Sequence, residues 1–353
     1  MYYKTMADIK DKIIDALSTL QRRDKAAKEF FKARAYGKAI DELKALQKPI
    51  TKLEDIDGIP GIGEKIRKKI VEILETGVLK AAEAAKADVK LSAVDVLTGV
   101  YGIGPVKAKD LIAKGFDTIE KLRKVVVADP GLLNEKQLMG LKHYEDILER
   151  IPRTEMFRHE KLLLGELYEN QSGIVVGSYR RGAESSGDID VLITMDPGSD
   201  QKTAFAQYIK DLRNSGYMIE VLSQGDQKCL SVVRLEPGEK ARRLDLLVIP
   251  TEQFPYALLY FTGSGDFNIA FRRHALKRGY TLNEHEMKLT GDVPDAKPVP
   301  PMKYEAEIFA FLGLKYKEPN QRIGFSSVEE LSESTKAKVA KFKKQRTLKA
   351  AKP

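Results

Sequence analysis

Three aspartates stand on two short β-branched runs of the sequence. Asp188 and Asp190 flank Ile189 at the start of one run, and Asp245 lies within a later one. Because side chains two apart on a strand point to the same face, the first two aspartates should share a face while Ile189 is buried. Crowded carboxylates repel one another, and hard oxygen ligands bind Mg²⁺ or Mn²⁺. The pattern indicates a divalent-metal site, although any one of these aspartates alone could be a solvated strand end.

The segment that leads into the acid pair, Gly-Ser-Tyr-Arg-Arg-Gly-Ala-Glu-Ser-Ser-Gly at 177–187, is suited to binding phosphate. Ser178 and the backbone amides of its glycine turn can donate hydrogen bonds, and Arg181 can neutralise charge. A Gly-Ser turn followed at this distance by Asp-x-Asp is typical of the nucleotidyltransferase sheet. Taken together, these residues resemble the family X DNA polymerases of the β type.

The resemblance extends over residues 7–322 and implies a role for each aspartate. It implies two Mg²⁺ ions, with Mn²⁺ as a substitute, held by Asp188, Asp190 and Asp245. Asp188 and Asp190 would bridge both ions, whereas Asp245 would bind the catalytic ion and accept the proton of the primer 3′-hydroxyl. One ion would activate that hydroxyl and the other would hold the triphosphate and the leaving pyrophosphate. Arg243 would hold Asp245 in position.

The motif Tyr-Phe-Thr-Gly-Ser at 260–264 matches the sugar-side motif of the family. There the Tyr-Phe backbone excludes a 2′-hydroxyl and the Gly-Ser peptide is cis; without the motif, the two aromatic residues could be plain core. The resemblance places Asn268 at the minor-groove edge of the base and Arg272 at the template strand. The nucleotide-binding set that it implies is Arg150, Ser178, Arg181, Gly187, Tyr260, Phe261, Gly263, Asn268 and Arg272.

Two positions depart from the β-type pattern. Gly265 replaces an acidic residue that contacts the incoming base. Leu247 replaces an arginine that competes for one of the metal-binding aspartates in the open enzyme. These changes bear on base contacts and on activation, and they leave the expected reaction unchanged.

Two segments with Gly-Ile-Gly cores, at 61–63 and 102–104, each precede a helical pattern and resemble helix–hairpin–helix motifs. One Gly-x-Gly is weak evidence, but two copies have lysines nearby (Lys65, Lys68, Lys69, Lys107 and Lys109). Such motifs hold DNA phosphates through backbone amides, so binding should be independent of base sequence and sensitive to salt. The resemblance also implies Na⁺ or K⁺ bound through the carbonyls of Asp57, Ile59, Ile62, Thr98, Val100 and Ile103.

Lys65, Lys68 and Lys69 share one helical face. Crowded ammonium groups repel one another, which favours a neutral amine that can form a Schiff base. In the β-type polymerases this helix carries the 5′-deoxyribose-phosphate lyase nucleophile, and Lys69 occupies its position; otherwise it is a solvated lysine. Lys32, Tyr36, Lys65 and Lys68 would orient it or bind the 5′-phosphate. Phe31 and Ala81 depart from the pattern, because the family often has a histidine and a lysine there.

The elements that must position these residues follow from periodicity. Apolar spacing predicts helices over 7–47 and 106–149, with breaks at Gly115, Pro130 and Gly140, and a further helix over 159–169. Short runs of branched residues predict strands at 174–176, 189–193, 217–219, 229–233 and 244–249.

The predicted fold class is multidomain α and α/β, and the chain divides into five segments. Residues 1–88 form a helical lyase and 5′-phosphate-binding domain with the first helix–hairpin–helix, and 89–150 a helical DNA-binding subdomain with the second. Residues 151–252 form a nucleotidyltransferase palm and 253–322 a mixed α/β subdomain for the nascent base pair. Residues 323–353 are a polar and then basic tail, expected to be disordered.

Charge is distributed unevenly along the 353 residues. The chain has 60 Lys plus Arg against 51 Asp plus Glu, a net charge of +9. Residues 335–353 contain eight basic residues and no acidic ones, and 1–90 carry a net +5, so the middle is slightly acidic. A basic balance favours a polyanionic partner.

Other classes of protein are excluded by composition. One cysteine, Cys229, rules out a disulfide framework and multi-thiolate metal sites, and the four histidines show no His-x₃-His pair. No apolar run is long enough to span a membrane, and the opening residues lack the apolar region of a secretory signal. We expect an intracellular protein, with the nucleus favoured and a mitochondrion or viral replication site as alternatives.

The sequence therefore predicts a template-directed DNA polymerase that fills short gaps in base excision repair, with an attached lyase. Its partners would be gapped or nicked double-stranded DNA, dNTPs, and a DNA ligase or other repair proteins; it would act as a monomer, away from membranes. Two alternatives stay open: a template-independent nucleotidyltransferase on the same sheet, and a non-catalytic protein that binds DNA ends.

Overall fold

A computed structural model describes residues 3–27, 29–46, 48–86, 89–291 and 297–332. The chain divides into two compact units, Met1–Glu149 and Arg150–Pro353. The first part of the tail expected to be disordered, residues 323–332, is instead ordered: Phe325 is buried, and Leu314 and Glu330 form an antiparallel bridge. Residues 333–353, which include the basic stretch, lie outside the described residues, so the disorder expected there stays a prediction.

The described part of the first unit is helical. Its α-helices are α1 (Tyr3–Ala26), α2 (Phe30–Ala45), α3 (Glu64–Thr76), α4 (Lys80–Lys86), α5 (Val89–Thr98), α6 (Pro105–Ala113), α7 (Ile119–Ala128), α8 (Glu135–Lys142) and α9 (Tyr144–Leu148). Short 3₁₀ turns lie at Leu53–Ile56 and Pro130–Leu132.

Two apolar clusters hold the helices of this unit. In the first, α1 packs against α2, α3 and α4 around fully buried residues such as Leu17, Leu43 and Ile70. In the second cluster, α5 packs against α6 around Leu97 and Leu111. Leu122 of α7 lies in the same cluster. Isoleucines of the first Gly-Ile-Gly turn lie in the first cluster and Ile103 of the second turn lies in the second. The helices predicted over 7–47 and 106–149 are confirmed by the bounds of α1, α2 and α6 to α9.

The second unit has mixed secondary structure. Its elements are β1 (Ile151–Pro152), α10 (Arg153–Gly165), β2 (Gln171–Val175), α11 (Gly177–Arg180), β3 (Ser185–Ser186), β4 (Ile189–Met195), α12 (Gln201–Asn214), β5 (Met218–Gln224), β6 (Lys228–Val233), β7 (Arg242–Val248), α13 (Phe254–Thr262), α14 (Gly265–Lys277), β8 (Tyr280–Leu282), β9 (Met287–Leu289) and α15 (Glu305–Phe311). Two 3₁₀ turns follow, at Pro319–Gln321 and Phe325–Ser327.

A five-stranded sheet in the order β2-β4-β7-β6-β5 forms the centre of this unit. Only β4 and β7 pair in parallel among its neighbouring strands, and the other pairs are antiparallel. One face packs its alternate residues, among them Ile189 and Val191, against α10 and α12. On the opposite face Leu192 and Leu247 lie in the same cluster as Ala257 of α13. The expected multidomain α and α/β fold is confirmed.

Two predictions about individual elements are wrong in detail, and one helix was not predicted. The helix expected at 159–169 is α10, which begins at Arg153 directly after Pro152 and ends at Gly165. Gly140 does not break a helix but lies inside α8, where an added Cβ would clash with the carbonyl oxygen of Tyr101. That glycine permits a close approach between backbones. Helix α12 was not foreseen.

No helix within the described ranges is long and apolar enough to cross a membrane.

Candidate active site

The parallel pairing of β4 and β7 brings two aspartates side by side. Asp190 on β4 is the register partner of Asp245 on β7, and Asp188 immediately precedes β4. Gly177, at φ +62°, opens the neighbouring helix α11, and an added Cβ there would lie 2.8 Å from an oxygen of Asp190. A glycine is required at this position because the turn lies directly against the carboxylate.

These two carboxylates lie in an environment that disfavours negative charge. Burial and the neighbouring charge of Asp245 raise the pKa of Asp190 to about 6, although Lys228 and Arg181 oppose the shift. Burial also raises the pKa of Asp245, against the opposing charges of Arg243 and Lys228. Oδ1 of Asp245 is buried and accepts no hydrogen bond. An additional positive charge at this pair would therefore be stabilising.

Arg243 forms an ion pair with Asp245, as expected, and also contacts Asp188, which was not expected. Its Nε is 3.7 Å from Oδ1 of Asp245, and its Nη2 donates a hydrogen bond to Oδ2 of Asp188. The register explains the second contact: Ile189 pairs with Leu244, so the preceding residues of the two strands, Asp188 and Arg243, are neighbours. A directly opposite residue is nearer than one two places along the same strand.

The donor chemistry of this pair suits a hard divalent cation. Within the described ranges, no group of three or more His, Cys, Asp or Glu side chains is arranged to hold a metal ion. Asp188 is turned toward Arg243, so Asp190 and the orphaned oxygen of Asp245 are the two carboxylates that face each other. The residues fit Mg²⁺ or Mn²⁺ if Asp188 turns to join them.

The predicted phosphate-binding residues lie around α11. Ser178 donates its hydroxyl to Ser186 at 2.9 Å, and Arg150 donates to both the hydroxyl and the carbonyl of Ser185. A Cβ at Gly187 would lie 4.0 Å from a guanidinium nitrogen of Arg150, so these two predicted residues are neighbours. The turn thus gathers hydroxyls and cationic side chains beside Asp190.

The sugar-side motif lies at the junction of α13 and α14, and its Gly263–Ser264 peptide is cis, as expected. Nη1 of Arg181 donates to the carbonyl of Thr262 at 2.6 Å, which ties the phosphate turn to this motif. The rings of Tyr260 and Phe261 meet edge to face, 5.1 Å apart.

One face of α14 borders a cavity of about 580 Å³. Its lining includes three residues that the sequence predicts for the nucleotide or the template, namely Tyr260, Asn268 and Arg272. Nδ2 of Asn268 donates to the carbonyl of Tyr260 at 2.7 Å, which orients the amide and leaves its second N–H for another acceptor. The lining also includes the apolar Ile269 and Leu276 and the basic Arg273 of α14, so this face of the helix is apolar and basic.

The two departures from the β-type pattern have distinct settings. Gly265 also lines the cavity, and a Cβ added there would meet no atom within 4 Å, so the position is open space. Leu247 is buried in the cluster that includes Leu192 and Phe261, on the aspartate face of β7. Leu247 packs in this apolar cluster and has no charge with which to compete for the aspartates.

Sequence reasoning missed Lys228, Glu305 and Arg322. Lys228 opens β6 and its charge lowers the pKa values of both buried aspartates, against the effect of burial. Glu305 and Arg322 are buried and pair with each other, and Glu305 also pairs with Arg180. Single charged residues far apart in the sequence carry no signal of such contacts; only their burial in the fold reveals them.

The predicted lyase residues lie on α2 and α3 in the first unit. Lys68 pairs with Glu64 at 2.9 Å and Lys32 with Glu29 at 3.4 Å, both at exposed positions. The ring of Tyr36 is buried, and burial together with the charge of Asp24 raises its pKa. Lys65 and Lys68 are exposed and Lys69 is half-buried on the same helix. Phe31 is 90% exposed at the start of α2.

Both Gly-Ile-Gly segments form tight turns that lead into a helix. Gly61 and Gly102 have φ values of +86° and +84°, and Gly63 and Gly104 are the N-caps of α3 and α6. The carbonyls of Ile59 and Val100 each accept a hydrogen bond from the amide three residues on, at Ile62 and Ile103. The carbonyls of Asp57 and Thr98 lie on the same two loops; the monovalent cation stays a prediction.

Comparison with known proteins assigns each part of the chain. The family model for the DNA polymerase beta palm matches residues 150–251, and that for the DNA polymerase beta thumb matches 257–323. A helix-hairpin-helix domain matches 9–79, and the fingers domain of DNA polymerase lambda matches 95–148.

Full-length relatives agree with these matches. DNA polymerase lambda of Rattus norvegicus is 33% identical over 325 residues, which cover 88% of this chain and 56% of the relative. DNA polymerase lambda of Arabidopsis thaliana is 30% identical, covering 82% and 57%, and DNA-directed DNA/RNA polymerase mu of Homo sapiens is 27% identical, covering 81% and 63%. The chain thus spans a little over half the length of these relatives.

The sheet that pairs two aspartates beside a Gly-Ser turn is a nucleotidyltransferase palm. With its palm, thumb, fingers and helix-hairpin-helix parts all matched, the chain belongs to the family X DNA polymerases.

Proposed function

We propose that this chain is a template-directed DNA polymerase that fills short gaps during base excision repair. The observation that carries the proposal is the register pair of Asp190 and Asp245 beside the Gly-Ser turn of α11. Crowded, partly buried carboxylates next to hydroxyl and guanidinium donors suit nucleotidyl transfer from a triphosphate.

Each residue has a role in this proposal. Ser178 and Arg181 bind the phosphates, while the backbone at Tyr260 and Phe261 lies against the sugar. Asp245 accepts the proton of the primer 3′-hydroxyl, and Asp190 and Asp188 complete the ligand set. Two divalent ions bound by these carboxylates would supply charge to activate the hydroxyl and stabilise the leaving pyrophosphate.

The reaction is tested by offering each dNTP singly, with Mg²⁺, to a duplex with a one-nucleotide gap. Templated incorporation of only the complementary nucleotide supports the proposal. Indiscriminate tailing would instead identify a template-independent nucleotidyltransferase. Binding of the gapped duplex without extension would identify a protein that only binds DNA ends.

We also propose a 5′-deoxyribose-phosphate lyase activity at Lys69, on the half-buried position of a helix face that carries two further lysines. The buried Tyr36 and the cationic Lys32 lie on the neighbouring helix α2 and would orient the amine or bind the 5′-phosphate. An amine in this position can form a Schiff base with the open sugar.

Borohydride trapping on DNA with a 5′-deoxyribose phosphate tests the lyase. We expect the wild-type chain to be trapped covalently and Lys69→Ala to lose most of the trapping, while gap filling stays close to the wild-type rate. Lys65→Ala should weaken both 5′-phosphate affinity and trapping. Undiminished trapping of Lys69→Ala would remove this role from the residue.

The partners and the site of action follow from the same proposal. Gapped or nicked DNA and dNTPs would be the substrates, and a DNA ligase would seal the product. Na⁺ or K⁺ at the two glycine turns would support phosphate binding, and a nuclear location would supply the DNA.

Footprinting of gapped DNA in Na⁺, in K⁺ and in a bulky organic cation tests the monovalent sites. Equal protection of the DNA in all three would contradict these sites.

A further inference from the structure

A buried carboxylate, Glu305, opens α15 and joins two arginines. Glu305 is 5% exposed and Arg322 is fully buried. Nη2 of Arg180 donates to Oε2 of Glu305 at 2.8 Å, and Nη1 of Arg322 donates to Oε1 at 2.5 Å. Burial by itself would raise the pKa of Glu305, but the hydrogen bonds from Arg180 and Arg322 outweigh it and leave the pKa lowered. The carboxylate is ionised and bridges both guanidinium groups.

Both arginines reach the turn at the end of α13. Nη1 of Arg180 donates to the hydroxyl of Thr262, which is itself fully buried. On the other side of Gly263, the amide of Ser264 donates to the carbonyl of Arg322 at 3.0 Å. The turn is therefore held on both sides of Gly263, by the side chain of Arg180 and by the main-chain carbonyl of Arg322, and the side chains of both arginines pair with Glu305.

The same carboxylate also fixes the phosphate turn. Arg180 is the last residue of α11, two places after Ser178 and one before Arg181. Its side chain is four-fifths buried and contacts both Glu305 and Thr262. This ion pair, together with the hydrogen bond from Arg181 to the carbonyl of Thr262, joins the segment proposed to bind the phosphates to the segment proposed to lie against the sugar.

Discrimination against a ribonucleotide depends on how closely the backbone at Tyr260 and Phe261 approaches the 2′ carbon. A steric filter of this kind loses selectivity when the backbone can retreat by a fraction of an ångström. The backbone at these residues runs directly into the turn that Glu305 holds.

We infer that Glu305 is a positioning residue that sets the preference for deoxyribonucleotides over ribonucleotides, an inference that rests on the proposed polymerase function. Glu305 acts through Arg180 and Arg322 and lies outside the nucleotide-binding residues. Removing its charge frees the side chain of Arg180, which holds Thr262, and removes the ion pair that fixes Arg322 on the other side of Gly263. The aspartates make no contact with Glu305.

The test compares Glu305→Gln with Glu155→Gln on a one-nucleotide-gapped duplex. Glu155 is a matched control because it also pairs with a buried arginine, Arg242, at 2.6 and 2.9 Å, and belongs to α10. The measured quantity is the ratio of kcat/KM for the complementary dNTP to that for the matching rNTP. Because both substrates are used by the same preparation, a loss of folded protein cancels in this ratio.

We expect Glu305→Gln to lower the ratio of kcat/KM for the dNTP to that for the rNTP at least tenfold. Glu155→Gln should leave this ratio within twofold of wild type. Thr262→Val, which removes only the hydroxyl held by Arg180, should lower the preference in the same direction and serves if Glu305→Gln does not fold. An unchanged ratio in an active Glu305→Gln protein, or in Thr262→Val, overturns the inference alone. A wild-type chain that incorporates no nucleotide overturns the proposed function as well.

Discussion

The aspartates differ in how strongly the protein already compensates their charge. Asp188 is paired with Arg243, whereas Asp190 and Asp245 face each other in a partly buried site with raised pKa values, caused by burial and, for Asp190, also by Asp245. A bound cation would therefore stabilise the ionised forms of Asp190 and Asp245 more than that of Asp188.

Asp190→Ala or Asp245→Ala should therefore abolish incorporation while leaving gapped-DNA binding nearly intact. Losing such a stabiliser of developing charge costs about 3 kcal/mol or more in the barrier, which lowers the rate at least about a hundredfold. Single-turnover gap filling measures the rate, and fluorescence anisotropy measures DNA binding.

Asp196→Ala is the matched control for these variants, since Asp196 is exposed and directly follows β4. It should incorporate at the wild-type rate. Retention of more than about a tenth of wild-type rate by Asp190→Ala or Asp245→Ala, little more than 1 kcal/mol of lost stabilisation, would count decisively against the assignment.

His159 on α10 makes the stability of the second unit sensitive to acid. Its ring is fully buried, Nδ1 lies 2.7 Å from the hydroxyl of Tyr217, and Nε2 lies 3.7 Å from Glu155. Burial lowers the pKa of His159 to about 4; the charge of Glu155 opposes this shift, and those of Arg242 and Arg158 add to it. The unfolded chain thus binds more protons between about pH 4 and 6.5, so stability is lost as the pH falls through that range.

Acidification from pH 7.5 to 5 should cost about 2 kcal/mol at this residue, as the two pKa values imply. Urea unfolding followed by circular dichroism measures it, since the chain has no tryptophan to report by fluorescence. The variant His159→Gln should lose that part of the pH dependence. If wild type and variant lose stability in parallel, the histidine is not its source.

At the scale of single residues, sequence reasoning located the aspartates but not all of their partners. The i and i+2 spacing correctly predicted that Ile189 is buried and that Asp190 lies on the other face. The contact of Arg243 with Asp188 could not be predicted, because it depends on which strand lies beside β7 and in which register. The contacts of Glu305 depend on a fold that brings residues 125 positions apart together.

Among the elements, the second Gly-Ile-Gly turn is constrained by its backbone. Gly102 has a φ of +84°, and an added Cβ would lie 3.2 Å from the side chain of Gln137, whose amide donates to the carbonyl of Gly102 at 2.9 Å. Gly102→Ala should destabilise the first unit by about 1 kcal/mol and weaken binding of gapped DNA several-fold, because the turn amides shift.

Urea unfolding and fluorescence anisotropy measure the two effects of Gly102→Ala. Gly104→Ala provides the matched control, since Gly104 has a φ of −86° and open space around its Cβ position. Equal behaviour of the two variants would show that the left-handed turn is not needed for DNA binding.

Elements with a strong period were predicted well, and their ends less so. The β-branched runs identified four strands of the five-stranded sheet to within three residues, and found the start of β5 but not its end at Gln224. The start of α10 was missed because Pro152 suggests a break, whereas here it immediately precedes the first helical residue. The break predicted at Gly140 was wrong because a glycine does not always end a helix. Inside a helix it can also allow another backbone segment to approach closely, as that of Tyr101 does here.

For the whole molecule, the excess of positive charge is concentrated near its ends. Deleting 335–353 removes eight positive charges and no negative ones. Gap filling should persist at low salt, while DNA affinity falls. The slope of log affinity against log salt concentration should flatten by about 0.9 for each phosphate that the shortened chain no longer neutralises.

Binding isotherms of gapped DNA at several salt concentrations test this effect of the deletion. Replacing the same segment with a neutral one of equal length controls for the loss of mass. If the slope of log affinity against log salt concentration is unchanged, the segment does not bind phosphate and acts instead as a targeting signal or as a binding site for a partner protein.

The pairing of Arg243 with Asp188 has a consequence for handling the protein. Because an arginine already offsets one of three clustered carboxylates, folding does not depend on a divalent ion to relieve their repulsion. Chelation of divalent ions should abolish the proposed gap filling without unfolding the protein, and added Mg²⁺ should restore it at once. We therefore expect the purified protein to keep its fold during storage without divalent ions.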